Sequence, residues 1–236
     1  MHVVVFSGAG ISAESGIRTF RDADGLWEGY SVEDVATPEA WQRNPQLVLE
    51  FYNQRRMNVV QAQPNAAHKA LAELENWCRV TVITQNVDDL HERAGSSKVI
   101  HLHGELMYAR SSGNPSYRIR LNEGQMTADM KCPEGHALRP DVVWFGEAVP
   151  MMDEAIRITC TADAFIIVGT SLEVYPAAGL VDFTPADCGL WLVDPNRHQG
   201  LSSRGIRCIS KTATEGIPLA ITEIKMTYGP GGQSNE

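Results

Sequence analysis

The sequence predicts an α/β fold built on a doubly wound parallel sheet, and three observations carry the prediction. Short, wholly apolar runs bounded by turn residues recur along the chain, helical patterns lie between them, and the first run passes directly into Gly8-Ala9-Gly10. Wholly apolar strands suit a parallel sheet covered on both faces, and strands alternating with helices suit double winding.

The first strand is His2–Phe6, and the glycines after it let backbone amides approach a diphosphate at a helix N-terminus. The full dinucleotide fingerprint wants a third glycine where Ala13 stands and an acidic residue where Thr84 and Gln85 stand, so an ordinary Rossmann dehydrogenase is disfavoured. A glycine turn without a ligand stays open beside the nucleotide reading. Gly16–Val35 breaks the rhythm and reads as a loop over the site. Pro45 suits the first turn of a helix over Pro45–Gln61, and a second helix follows over Asn65–Trp77.

The strand Val80–Thr84 ends in Gln85-Asn86-Val87-Asp88, at the carboxyl edge where doubly wound folds bind ligands. Asp88, ahead of Leu90-His91-Glu92, also reads as a helix N-cap. The strand Val99–Leu102 brings His101 and His103, two apart and therefore on one face, with Glu105 next in line. Such a pattern admits a metal site, a buried structural histidine or a general base. The metal reading needs further ligands from other strands and usually an all-β barrel, which the helical patterns contradict. Glu105–Pro140 reads as a small inserted module. A helix over Met151–Cys160, a strand over Phe165–Val168, a helix over Ala177–Phe183 and a strand over Leu190–Val193 follow, and the Gly-rich tail Tyr228–Glu236 is expected to be disordered.

At 236 residues the chain suffices for one sizeable α/β domain. Lys+Arg of 20 against Asp+Glu of 29 leaves a net charge of −9, which argues against nucleic acid or an anionic membrane as partner and suits a basic, lysine-bearing protein. Cys78, Cys132, Cys160, Cys188 and Cys208 stand singly, with no signal-peptide pattern, so a reduced, cytoplasmic location is expected. Apolar runs such as Ala164–Val168 are strand-sized, far below the roughly 18 to 20 residues of a membrane span.

Six ordered motifs add a resemblance: Gly8-Ala9-Gly10-Ile11-Ser12, Gly16-Ile17-Arg18-Thr19-Phe20-Arg21, Thr84-Gln85-Asn86-Val87-Asp88, His101-Leu102-His103-Gly104, Val143-Trp144-Phe145-Gly146-Glu147 and Gly169-Thr170-Ser171. From Val3 to about Ile224 the chain resembles the sirtuins, NAD-dependent protein-lysine deacylases. The resemblance implies a Rossmann-like large lobe from residues 1–30, 78–104 and 141–225. It also implies a small lobe with a helical insertion, 31–77, and a ribbon module, 105–140, followed by a tail, 226–236.

For the cofactor NAD it implies Ala9, Ser12, Arg21 and Thr170 around the diphosphate, and Ser171 with the Asp194-Pro195-Asn196 turn at the adenosine end. Asn86 and Asp88 would orient nicotinamide. Gly8, Gly10, Ile11, Ala13, Glu14, Thr19, Phe20, Trp27, Gln85, Val87, Gly169 and Ala213 complete the implied cofactor positions. His103 would be the base acting on the nicotinamide-ribose hydroxyls. In the family mechanism the acyl-lysine oxygen attacks the anomeric carbon, nicotinamide leaves, the activated hydroxyl attacks the imidate, and water completes release of lysine and O-acyl-ADP-ribose. Val143, Phe145, Gly146 and Glu147 on one edge, and Glu173 and Val174 on the other, would hold the substrate peptide as an added strand. The implied partners are acylated-lysine proteins, and the expected state is a monomer. A mono-ADP-ribosyltransferase and a non-enzymatic NAD or ADP-ribose sensor are the alternative readings.

The chain departs from the family in three places. Arg18 replaces a proline, Asp194-Pro195-Asn196 replaces an Asn-x-Glu-like turn, and the ribbon has Ser111-Ser112-Gly113-Asn114 and Cys132-Pro133-Glu134-Gly135-His136 where two Cys-x-x-Cys pairs are expected. One thiolate and one histidine fall short of four ligands, so no structural zinc is expected and the ribbon is degenerate.

Tyr52 and Arg55, at i and i+3, share a helix face, which alone suits a core tyrosine beside a solvated arginine. They also match the Tyr-x-x-Arg signature of CobB-like, class III sirtuins, and Ala36 matches the small residue lining their widened acyl pocket. A phenol and a guanidinium in an apolar pocket suit a carboxylate at the end of the acyl chain, which points to succinyl- or malonyl-lysine as well as acetyl-lysine.

Overall fold

The computed structural model describes residues 1–18, 29–121, 125–172, 174–196 and 205–229. At its centre lies β1 (His2–Ser7), buried along its whole length. It pairs in parallel with β2 (Arg79–Thr84) on one side and β7 (Ala164–Val168) on the other. With β3 (Val99–His101), β8 (Gly189–Val193) and β9 (Arg207–Ile209) the sheet has the order β3-β2-β1-β7-β8-β9, every pairing parallel. The winding runs outward one way from β1 and the other way from β7. The crevice at their carboxyl ends is therefore the topological switch point of a Rossmann-like fold.

Period-two alternation along β1 divides the core between the two faces. Val3 and Val5 pack under α5 (Ala66–Leu74) and α8 (Ala213–Tyr228), with Leu71, Ile217 and Ile224. Val4 and Phe6 pack on the opposite face with Ile158 of α7 (Met152–Thr159) and Leu180 of the 3-10 helix Ala177–Phe183.

A second layer stands over the crevice. Its helices are α2 (Val32–Val35), α3 (Pro38–Arg43) and α4 (Pro45–Gln61). Thr37 and Asn44 accept the first free N–H groups of α3 and α4, from Ala40 at 3.0 Å and Leu47 at 3.2 Å, and each helix begins on a proline. Behind them β4 (Gly104–Ser111), β5 (Arg118–Arg120) and β6 (Leu138–Val142) form an antiparallel sheet in the order β5-β4-β6. The buried Arg56 ties α4 to β4, donating from Nε to the Leu106 carbonyl at 3.0 Å and from Nη1 to Asn53 Oδ1 at 2.7 Å.

The ribbon segment packs Ala109, Leu121, Met126, Cys132 and Leu138 against Leu49 of α4. Tyr117 packs on this cluster, while Leu106 packs with the helices and Met107 is buried. Where a metal would join the two turns, Ser111 Oγ accepts from the N–H groups of Gly113 (3.3 Å) and Asn114 (3.1 Å) and donates to Cys132 Sγ (3.4 Å). A hydroxyl, one thiol and an imidazole do not fit a structural zinc.

Several boundaries differ from the sequence reading. The helix α8 was not expected, because Gly216 and Pro218 interrupt its pattern. Its glycine is needed for packing, since a Cβ there would stand 2.4 Å from Val193 Cγ1. The helix continues to Tyr228, so the tail placed at 226–236 starts later, and residues 230–236 lie outside the described residues. The three-residue edge strand β9 also escaped notice. The helix placed at Asn65–Trp77 is shorter, because Asn65 caps it by accepting from the N–H groups of Ala67 and His68. Between Ala177 and Phe183 the turn is 3-10 rather than α.

Candidate functional site

At the switch point the loops after β1 and β7 interlock. Gly8 N–H donates to the Val168 carbonyl at 3.0 Å and Gly10 N–H to the Gly169 carbonyl at 2.8 Å. A Cβ on Gly8 would lie 2.7 Å from Gly169 O, and one on Gly169, whose φ is +62°, would lie 2.3 Å from Ile11 N. These glycines are thus required by contact between two backbones, and two of the amides expected to face a diphosphate are bonded internally. The Gly8-Ala9-Gly10 turn shapes the crevice floor, and all three residues line the cavity there. The helix after it, α1 (Gly10–Ala13), is a single turn with Ile11 and Ser12 buried.

A hydrogen-bonded lattice joins this floor to the loop between β2 and α6 (Leu90–Ala94). Asn86 Nδ2 donates to Gly8 O and to Ser12 Oγ, both at 3.2 Å, and Ser12 Oγ donates to Asp88 Oδ2 at 3.0 Å. The other Asp88 oxygen accepts the Leu90 N–H at 3.2 Å, so Asp88 also holds the entry to α6. Burial raises the Asp88 pKa, opposed by those two donors. Gln85 Nε2 donates to Thr170 Oγ1 at 3.0 Å, linking β2 to β7 across the crevice.

The strand β3 stops at His101, so alternation does not carry on to His103 and Glu105, and the HxHxE pattern does not form one face. Glu105 pairs with Arg118 at 2.6 Å. His101 is directed to Asn86 O (2.9 Å) and Glu92 Oε1 (2.8 Å), and His103 Nδ1 lies 3.0 Å from Gln85 O. A carbonyl only accepts, so Nδ1 of His103 carries the hydrogen and Nε2 keeps its lone pair. Burial lowers the His103 pKa despite that carbonyl, which keeps the ring neutral at pH 7. Among the described residues no cluster of three or more metal-ligating side chains forms.

A cavity of about 520 Å³ joins these parts and runs on between the two layers. Its lining includes Ala9, Ser12, Gln85, Asn86, Asp88 and His103 from the crevice floor and its loops, Ala36, Tyr52 and Arg55 from the helical layer, and Ser171, Asp194, Pro195, Asn196 and Ala213. Asp194 Oδ1 accepts the Asn196 N–H at 2.8 Å and shapes that last turn. Tyr52 is fully buried, its hydroxyl accepts from Trp144 Nε1 at 3.0 Å, and burial raises its pKa to about 12. The phenol proton is thereby left to donate. Arg55 is buried beside it, its guanidinium 5.7 Å from the Phe51 ring centroid. Trp144, which positions the phenol, carries no such role in the sequence pattern; its place follows from α4 and the segment after β6 meeting in space.

Val143 N–H donates to His103 O and Phe145 N–H to Ala36 O, at 2.9 and 3.0 Å, so this edge is pinned to both layers. Val143, Phe145, Gly146 and Val174 lie along the cavity. Glu14 and Glu147 line the cavity as well, and both carboxylates are held by protein partners. The Glu147 carboxylate accepts from Arg139 (2.6 Å), Arg110 (3.1 Å) and the Trp144 N–H (2.8 Å), so it builds the turn. Glu14 accepts from the Thr214 N–H (3.0 Å) and hydroxyl (2.6 Å) and so caps α8. Thr19, Phe20, Arg21, Trp27 and Glu173 lie outside the described residues.

Beneath the floor lie two histidines the sequence reading passed over. His91 Nε2 meets Ser7 Oγ at 3.0 Å, and its ring stands 4.8 Å from that of His68. Burial lowers the His68 pKa to about 4 and that of His91 well below 6.5. As pH falls from 6.5 toward 4 the unfolded chain takes up protons that the native state refuses, so stability present at neutral pH is lost. For His68 alone the loss at pH 4 is on the order of 3 kcal/mol. Urea unfolding along that pH range should show the decline, and His68→Gln should flatten it; an unchanged slope removes His68 as a cause.

The sequence matches the model of the Sir2 family over residues 8–176. An NAD-dependent protein deacylase of Helicobacter pylori (strain ATCC 700392 / 26695) is 51% identical over 220 residues, covering 92% of this chain and 94% of that protein. One of Bacteroides thetaiotaomicron is 52% identical over 221 residues, covering 92% and 94%. A Sir2 homologue solved in complex with NAD superposes with a TM-score of 0.85 at 39% identity, covering 96% of this chain and 90% of that one. A Sir2 solved with p53 peptide and NAD+ superposes with a TM-score of 0.77 at 29% identity, covering 95% and 93%.

Proposed function

The chain belongs to the Sir2 family, and from that premise we infer that it is an NAD-dependent protein-lysine deacylase whose acyl pocket accepts succinyl and malonyl groups besides acetyl. The observation that carries the reading is one continuous cavity joining a neutral, carbonyl-oriented His103 to a wall that holds Tyr52 and Arg55. Bound NAD supplies an electrophilic ribose carbon and a nicotinamide leaving group, and the residues present fit it. Asn86 and Asp88, cross-braced through Ser12, face the nicotinamide end, while Ser171 and the Asp194–Asn196 turn face the adenosine end.

His103 Nε2 takes the proton from a ribose hydroxyl, and Gln85 O holds the ring in the tautomer that allows this. The buried lattice under Asn86 fixes polar groups in advance and keeps them out of water, so orientation supplies much of the rate. The acylated lysine enters along Val143–Gly146, where the pinned main chain offers a strand edge.

Incubation with acetyl-, succinyl- and malonyl-lysine peptides plus NAD, read by mass, tests the reading: loss of the acyl group with formation of O-acyl-ADP-ribose supports it, and no turnover on any peptide refutes it. Net charge −9 and single cysteines support a cytoplasmic location without nucleic-acid or membrane partners; among the described residues no helix is long and apolar enough to cross a membrane.

The ribbon is held by its apolar cluster and the Ser111–Cys132 hydrogen bond in place of a metal. Purified protein should contain far less than one zinc per chain and keep its melting temperature in chelator. Stoichiometric zinc in elemental analysis, with unfolding on chelation, contradicts this.

A further inference from the structure

The peptide segment Gln85-Asn86 is grasped from several sides. Thr84 Oγ1 accepts the Asn86 N–H at 3.0 Å, His103 holds Gln85 O at 3.0 Å, and the Asn86 side chain is tied to Gly8 O at 3.2 Å. The remaining group, the Asn86 carbonyl, is held by His101 Nδ1 at 2.9 Å, and the far nitrogen of that ring meets Glu92 Oε1 of α6 at 2.8 Å. We propose that His101 is a positioning residue for the nicotinamide end of the site: by bridging the Asn86 carbonyl to Glu92 it fixes the peptide plane from which the Asn86 side chain reaches. The proposal rests on the deacylase reading, which gives Asn86 its part in holding nicotinamide.

Both partners of His101 are pure acceptors, so only a ring protonated on both nitrogens satisfies them together. The charged and titratable groups around it are Glu92 and His91 from α6, Asp88 from the loop before α6, and Glu105 from β4. Burial opposes the charge, but the Glu92 carboxylate and the Asn86 carbonyl raise the pKa above its ordinary 6.5. A raised value means the bridge is complete below the folded pKa and broken above it. When the ring loses a proton it either releases Asn86 O or turns a lone pair toward a carboxylate, and the Asn86 plane loses one anchor. The Glu92→Gln variant changes this logic: an amide N–H can donate to the neutral ring while Nδ1–H stays on Asn86 O, so the bridge no longer depends on proton uptake.

The test is calorimetric binding of NAD and of ADP-ribose, which lacks nicotinamide, to the full chain from acid to alkaline pH. The wild type should lose affinity for NAD on the alkaline side while its affinity for ADP-ribose holds. His101→Gln should bind NAD about threefold to tenfold more weakly at neutral pH, the effect of one lost hydrogen bond, with ADP-ribose unaffected. Glu92→Gln should keep NAD affinity through the alkaline range. His101→Gln binding NAD as tightly as the wild type, or losing NAD and ADP-ribose by the same factor, overturns the assignment. Should His101→Gln not fold, an alkaline profile of Glu92→Gln identical to the wild type overturns it alone. Failure of the deacylase reading shows separately, as a wild type that does not turn over any acylated peptide.

Discussion

His103→Ala should abolish deacylation while the protein still folds and binds NAD. The imidazole lines the cavity and makes one hydrogen bond, to Gln85 O at 3.0 Å, so its removal costs about 0.5 to 1.5 kcal/mol against a typical native stability of about 5 to 15 kcal/mol. Losing a general base costs about 100- to 10,000-fold in rate. Thermal melting, NAD titration and peptide turnover measured on one preparation separate these effects, and near-wild-type turnover in the variant would take His103 out of the mechanism. The wild-type rate also carries a sign. Burial holds the His103 pKa below its ordinary 6.5, so the base is neutral through pH 7 and the acid limb of the rate falls on the acid side of 6.5. A limb on the alkaline side contradicts the desolvated, neutral ring.

Arg55→Met should reduce desuccinylation much more than deacetylation, because only the longer acyl group presents a carboxylate to the guanidinium. Removing one partner of a buried charge pair costs about 2 to 5 kcal/mol, which is tens- to thousands-fold in specificity. Acetyl turnover is the internal control, since a folding defect lowers both reactions together. Tyr52→Phe acts in the same direction but less, through one hydrogen bond of about 0.5 to 1.5 kcal/mol. It carries a second effect that Arg55→Met does not. The Trp144 Nε1–H donates to Tyr52 Oη at 3.0 Å in a buried place, so the phenylalanine strands that donor and lowers stability by about 1 to 3 kcal/mol. A lower melting temperature with an unchanged succinyl-to-acetyl ratio in Tyr52→Phe gives the tyrosine a structural part only. Equal loss of both activities in Arg55→Met removes the acidic-acyl pocket, and Tyr52 and Arg55 then serve only to support α4.

The parallel sheet, its central strand and the long helix α4 were legible in the sequence because their signals are local. Apolar runs flanked by turn residues are complete within the strand, and Asn44-Pro45 starts α4 within one turn. The same holds for the Gln85–Asp88 loop at the carboxyl end of β2, since the end of a strand marks its own place at the crevice. Tertiary structure alone decided which side chains face the cavity. Glu14 is claimed by Thr214 and Glu147 by Arg139 and Arg110, partners brought in by packing, so each residue lines the cavity with its carboxylate already engaged by a neighbouring element. Helix α8 hid behind Gly216 and Pro218, whose low helical propensity is outweighed by the close approach of Gly216 to Val193 and by the burial of Ile217, Ile221 and Ile224. The pair His101 and His103 shows the division most directly: their spacing was visible, but β3 ends between them. One ring then turns to Glu92 and the other to the cavity, because hydrogen-bond acceptors on neighbouring elements, unlike period-two alternation, are set only when the chain is folded.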